Sequence, residues 1–78
     1  MERVLDGHKD MEITRRIGNY AIGYLHHEED CLYLWKYKDT GNDCDKYEYV
    51  MCINRFILPD SVIYDMANKL SENNDAID

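Results

Sequence analysis

Base is scarce in this chain. Nine lysines and arginines stand against sixteen acids over 78 residues, a formal net charge of −7. A surface so poor in positive charge repels nucleic-acid phosphates and is drawn to basic surfaces. Cysteine is nearly as scarce, and Cys31, Cys44 and Cys52 form no C-x-x-C pair. An odd number of thiols does not suit the closed disulfide framework of a small secreted domain, so reduced thiols in a cytoplasm are expected. The opening Met-Glu-Arg-Val-Leu-Asp lacks a signal peptide's basic start and apolar run. No stretch approaches the roughly 20 apolar residues of a membrane span, so no membrane partner is expected. Purely apolar aromatics are reduced to Phe56, whereas seven tyrosines and Trp35 are present. Tyrosine is half buried while its hydroxyl stays wet, and it is enriched at interfaces.

Acid is unevenly spread. Residues 1–25 carry no net charge, 26–48 carry −4, 49–59 carry +1 and 60–78 carry −4. Two loops and the C-terminal segment therefore hold the excess. Folding a chain of this size removes only roughly 60% of its unfolded surface from water. Residues 1–72 read as one small α+β domain and 73–78 as a frayed acidic tail.

Two runs alternate with the period of strands. Cys31–Lys38 puts Cys31, Tyr33, Trp35 and Tyr37 on one face and Leu32, Leu34, Lys36 and Lys38 on the other. Lys46–Asn54 puts Tyr47, Tyr49, Met51 and Ile53 together. Pairing Lys38 with Lys46 across the polar loop Asp39–Asp45 sets Tyr37 against Tyr47, Lys36 against Glu48, Trp35 against Tyr49, Leu34 against Val50 and Leu32 against Cys52. Aromatic then meets aromatic, cation meets anion, and aliphatic meets aliphatic.

Upstream, Asn19–Leu25 reads as a strand turning through His26–Asp30, with Tyr24 opposite Tyr33 and Ile22 opposite Trp35. Met11–Ile17 reads as a further strand joined through Gly18-Asn19, in a register that adds Ile13, Arg15 and Ile17 to the aromatic face. A helix over 1–17 also fits the spacing of Val4, Leu5, Ile13 and Ile17. Downstream, Pro59 and Asp60 start a helix with Ser61 as its candidate cap and Val62, Ile63, Met66, Ala67 and Leu70 as its apolar stripe. The expected architecture is an antiparallel meander of three or four strands with one C-terminal helix packed on the sheet. Its sheet has two partly apolar faces and the helix covers one. The N-terminal segment, a second copy or a partner must cover the other, and a homodimer is expected.

No motif commits the chain to chemistry. In His26-His27-Glu28-Glu29-Asp30 adjacent side chains point opposite ways at a strand end, which suits a solvated turn better than a metal site. The loop from Asp39 has Gly41 third and Glu48 tenth, where a calcium loop needs glycine sixth and glutamate twelfth. Cys31 lies near histidines, but the surrounding acids raise a thiol's pKa rather than activate it. Base stacking on the aromatic face needs flanking cations, and Arg15, Lys36, Lys38 and Lys46 are outweighed by acidic loops. No enzyme activity, cofactor, metal or direct nucleic-acid contact is expected.

The acidic turns lie at opposite ends of the Cys31–Lys38 strand, roughly 25–30 Å apart at about 3.4 Å per residue. In size, charge and tyrosine content the chain resembles the small acidic inhibitors with which phages and mobile elements block nucleoid-associated proteins, restriction enzymes or CRISPR nucleases. That resemblance implies an inhibitor that mimics DNA in a host cytoplasm and has a basic DNA-binding protein as partner. Glu28, Glu29, Asp30, Asp39, Asp43, Asp45, Asp60, Asp65 and Glu72 would then stand in for phosphates. The alternative is an interaction module or homodimeric adaptor that docks through Tyr33, Trp35, Tyr37, Tyr47 and Tyr49.

Overall fold

Glycine sets the first two chain reversals. Gly7 and Gly18 take left-handed backbone angles, φ 63° and 57°, and each opens a two-residue turn between antiparallel strands. The structure, a computed structural model, describes residues 2–38, 41 and 45–77, the last four by backbone alone. Five strands, β1 (Glu2–Asp6), β2 (Lys9–Ile17), β3 (Tyr20–Leu25), β4 (Glu28–Tyr37) and β5 (Tyr47–Asn54), precede one helix, α1 (Ser61–Ile77). They form a single antiparallel sheet in chain order, so the fold is α+β. The sheet has five strands where alternation predicts three or four. Residues 2–17 supply the extra one as a hairpin, and the Asp6-Gly7 pair at its turn is the signal that decides strand over helix.

Register agrees with expectation beside Gly18-Asn19 and at the mouth of the β4–β5 loop; the reversal after β3 is His26-His27 rather than His26–Asp30, and pairing departs from expectation there and farther along the strands. Ile17 faces Tyr20, and Tyr37, Lys36 and Trp35 face Tyr47, Glu48 and Tyr49. Beyond Trp35 the residue Val50 is extra, so Leu34 faces Met51 rather than Val50 and Leu32 faces Ile53 rather than Cys52. Thr14 is extra in β2, which sets Ile13 against Gly23. In the β3–β4 pair Ile22 faces Leu34 and Gly23 faces Tyr33, in place of Trp35 and Tyr24 as their expected partners. A one-residue offset moves every later side chain to the opposite face. Arg15, Ile17, Tyr20, Ile22, Tyr24, Met51 and Ile53 thus leave the aromatic face, while Ala21, Leu25 and Cys52 join it.

The helix packs on the face those offsets create. Ile63 and Ala67 of α1 are buried against Tyr20, Ile22, Leu32, Leu34 and Ile53, with Val62 and Leu70 at the margin. Met66, expected in the apolar stripe, is exposed. The carbonyl of Asp60 accepts from the N–H groups of Ile63 (3.1 Å) and Tyr64 (3.3 Å), so Asp60 rather than Ser61 occupies the cap position. The helical backbone continues to Ile77, into the segment expected to fray.

The opposite face is closed by the sheet's own curl. Met11, Ile13, Ala21, Trp35 and Tyr47 are buried together, with Val4, Leu25 and Tyr33 packed on them. In a flat sheet about 19 Å would separate the first strand from the fifth. Here the Asp6 carboxylate accepts from the backbone N–H of Lys46 (2.8 Å) and Tyr47 (2.9 Å), so the end of β1 meets the start of β5. Lys9 bonds both the Asp6 carboxylate (3.2 Å) and the Tyr47 carbonyl (2.6 Å). Bulges increase local twist and bend a strand, and those in β2 and β5 account for the curvature. Of the three covers expected for the aromatic face, the chain's own N-terminal hairpin is the one observed.

Candidate interaction surface

Cross-strand geometry divides the acids into two groups. In the first, Glu2 pairs with Arg16 (3.1 Å), Asp10 with Arg3 (2.7 Å), Glu12 with His26 (3.6 Å) and Glu48 with Lys38 (3.8 Å). Asp60 belongs here too: both its oxygens accept from the Arg55 guanidinium at 3.1 Å. That pairing removes Asp60 from the free acids. In the second group, Glu28, Glu29, Asp30, Asp65 and Glu72 are exposed, and among the described residues none forms an ion pair with a cation. Asp45 is exposed, while Asp39 and Asp43 lie outside the described residues, as does Cys44.

Three successive exposed acids on a strand need a cause, because a regular strand turns every second side chain inward. The cause is the β3–β4 irregularity, where Tyr24 alone faces the stretch Glu29–Leu32. The preceding turn carries His27 with φ 70°, the sole left-handed non-glycine residue among those described. Glu28, Glu29 and Asp30 are therefore all turned outward at one end of β4. Glu12, His26 and His27 join Glu29 and Asp30 around an open cleft. Among the described residues no group of three or more His, Cys, Asp or Glu is placed to hold a metal ion. The Tyr33 hydroxyl donates to Glu28 (3.2 Å), and burial together with that carboxylate pushes its pKa up to about 12.

The nominated aromatic residues are split between interior and surface. Trp35 and Tyr47 are buried and Tyr33 is half-buried, its ring stacked 5.5 Å from that of Trp35. Tyr37 is partly exposed, and Tyr49 is 56% exposed on β5. The Tyr47 hydroxyl accepts from Arg16 at 2.7 Å, so its polar end is satisfied inside the chain. Only Tyr37 and Tyr49 present substantial aromatic surface from this set.

Sequence reading passed over the most apolar part of the surface. Between β5 and α1, Phe56, Ile57 and Leu58 are 82%, 76% and 42% exposed. The signal available was three apolar residues bounded by Asn54 and Pro59, out of step with both the strand before and the helix after. No helix among the described residues is long and apolar enough to cross a membrane. Comparison with known proteins finds no family model, no curated protein and no solved structure that matches the chain.

Proposed function

We propose that this protein is a small acidic inhibitor that binds a basic DNA-binding protein, its free carboxylates taking the place of DNA phosphates. The supporting observation is the outward run Glu28-Glu29-Asp30, which pairs with no cation among the described residues. Asp65 and Glu72 extend the charge along the outer face of α1. These carboxylates are open to a partner's lysines and arginines, and binding would be steered by long-range attraction. No catalytic residue is assigned. Affinity capture from native lysate, with and without competing duplex DNA, tests the reading. Duplex and salt should each release the partner, and Glu28→Lys with Glu29→Lys and Asp30→Lys should abolish capture. Salt-insensitive binding that survives the triple reversal overturns it.

One observation favours a second reading. β5 lies at the sheet edge with Tyr49 and Val50 exposed, so a second copy could pair there and form a homodimeric adaptor. Sedimentation of the wild-type chain and of Tyr49→Ala discriminates: a dimer lost in the variant supports this reading, and a wild-type monomer rejects it.

A further inference from the structure

The turn between β5 and α1 is held rigidly while displaying apolar side chains to water. Asn54 organises it: its side-chain oxygen accepts from Phe56 N–H at 2.9 Å, and its carbonyl accepts from Ile57 and Leu58 N–H, both at 3.0 Å. Arg55 fixes the base. Its backbone N–H bonds the Asp30 carbonyl (2.9 Å), its guanidinium grips Asp60 and reaches the Glu29 carbonyl (3.4 Å), and its charged end lies 4.9 Å from the centre of the Tyr24 ring. Contiguous exposed apolar side chains on a preorganised support mark a docking site, because little ordering entropy remains to be lost on binding.

The charge around the turn selects the occupant. Arg55 is neutralised by Asp60, and Asp30 stands directly across from Arg55, with Glu29 and Glu28 beyond it on β4. Free charge beside the apolar tip is thus negative, which repels anionic lipid and nucleic acid. We infer that Phe56, Ile57 and Leu58 form the anchor of the interface, inserting into an apolar pocket of a protein partner whose rim carries lysine and arginine for Glu28, Glu29 and Asp30. This inference rests on the reading of the acidic surface as a docking face and adds the contact that gives it tight binding.

Photo-cross-linking tests it on the whole chain, with benzoylphenylalanine replacing Phe56 in one preparation and Tyr49 in another, irradiated in native lysate. Position 56 is expected to join a protein segment of apolar residues flanked by lysine or arginine, and position 49 is not. Against the captured protein once purified, Phe56→Ser with Ile57→Ser raises Kd by roughly thirtyfold while leaving thermal unfolding unchanged. The triple reversal at Glu28, Glu29 and Asp30 raises Kd roughly tenfold at low salt and far less at high salt. A cross-link from position 56 to a second copy, no cross-link from it at all, or flotation of the wild-type chain with phosphatidylcholine–phosphatidylglycerol vesicles overturns the anchor. If position 56 gives no cross-link while affinity capture still recovers a partner that the triple reversal loses, the anchor falls and the acidic reading stands. If the triple reversal leaves binding unchanged at every salt concentration, the acidic reading falls and the basic-rimmed pocket falls with it.

Discussion

Asp6 shows how one side chain decides the shape of the sheet. It is 1% exposed, and a buried carboxylate is costly unless fully bonded. Burial pushes its pKa up, but the N–H groups of Lys46 and Tyr47 and the ammonium of Lys9 together outweigh that and hold it below the usual carboxylate range. Asp6→Ala strands two backbone donors and should cost about 2–4 kcal/mol, measured by urea unfolding at neutral pH. The pH dependence follows from the lowered native value. The carboxylate's contribution is complete above the unfolded pKa of about 3.9 and is lost as pH falls through the lower folded value. The stability gap between wild type and Asp6→Ala should therefore be constant above about pH 5 and narrow in stronger acid. A gap that widens on acidification would contradict the clasp. Tyr33 offers a second titration: Glu28→Gln should lower its pKa from about 12 toward the ordinary value, leaving the part due to burial, as followed by tyrosinate absorbance.

At the scale of elements, the reversals at Gly18-Asn19 and between β4 and β5 were legible, and the bulges were not. Ile17 against Tyr20 and Tyr37 against Tyr47 follow from turn chemistry and from like meeting like across the strands. Alternation carries no mark for an inserted residue, and Val50 fits an apolar position on either face. Acids could be located in the sequence, yet their pairing could not. Asp60 lies five residues from Arg55, and only the geometry of the turn brings the two together. Gly23 was legible only as a weak strand residue. Its role is close approach, since a Cβ there would strike the Glu12 carbonyl on β2. Gly23→Ala should destabilise by about 1–3 kcal/mol through displacement of β2. For the helix, Ile63→Ala removes a fully buried side chain from the sheet contact and should cost about 2–4 kcal/mol. Met66→Ala, one turn along on the exposed side, should leave the urea midpoint nearly unchanged and so fixes which face of α1 is the lid.

For the whole molecule, the curl changes what a mutation of the aromatic set can reveal. An open two-faced sheet would make Trp35 and Tyr49 equivalent probes of a docking surface. In the curled sheet Trp35 sits inside the core formed by Met11, Ile13, Ala21 and Tyr47, and Tyr49 lies outside it at the edge. Trp35→Ala should therefore cost about 3–5 kcal/mol and abolish binding only by unfolding the chain. Tyr49→Ala loses one cross-strand contact and should cost about 1 kcal/mol or less. Wild-type tryptophan fluorescence should be blue-shifted and poorly quenched by iodide, and it should stay so when a partner is bound through the acidic end of β4. Strong iodide quenching in the free protein, relieved by a partner or a second copy, would place Trp35 at an interface instead. That outcome would mean the two ends of the sheet do not meet, and the clasp at Asp6 would have to be given up with it.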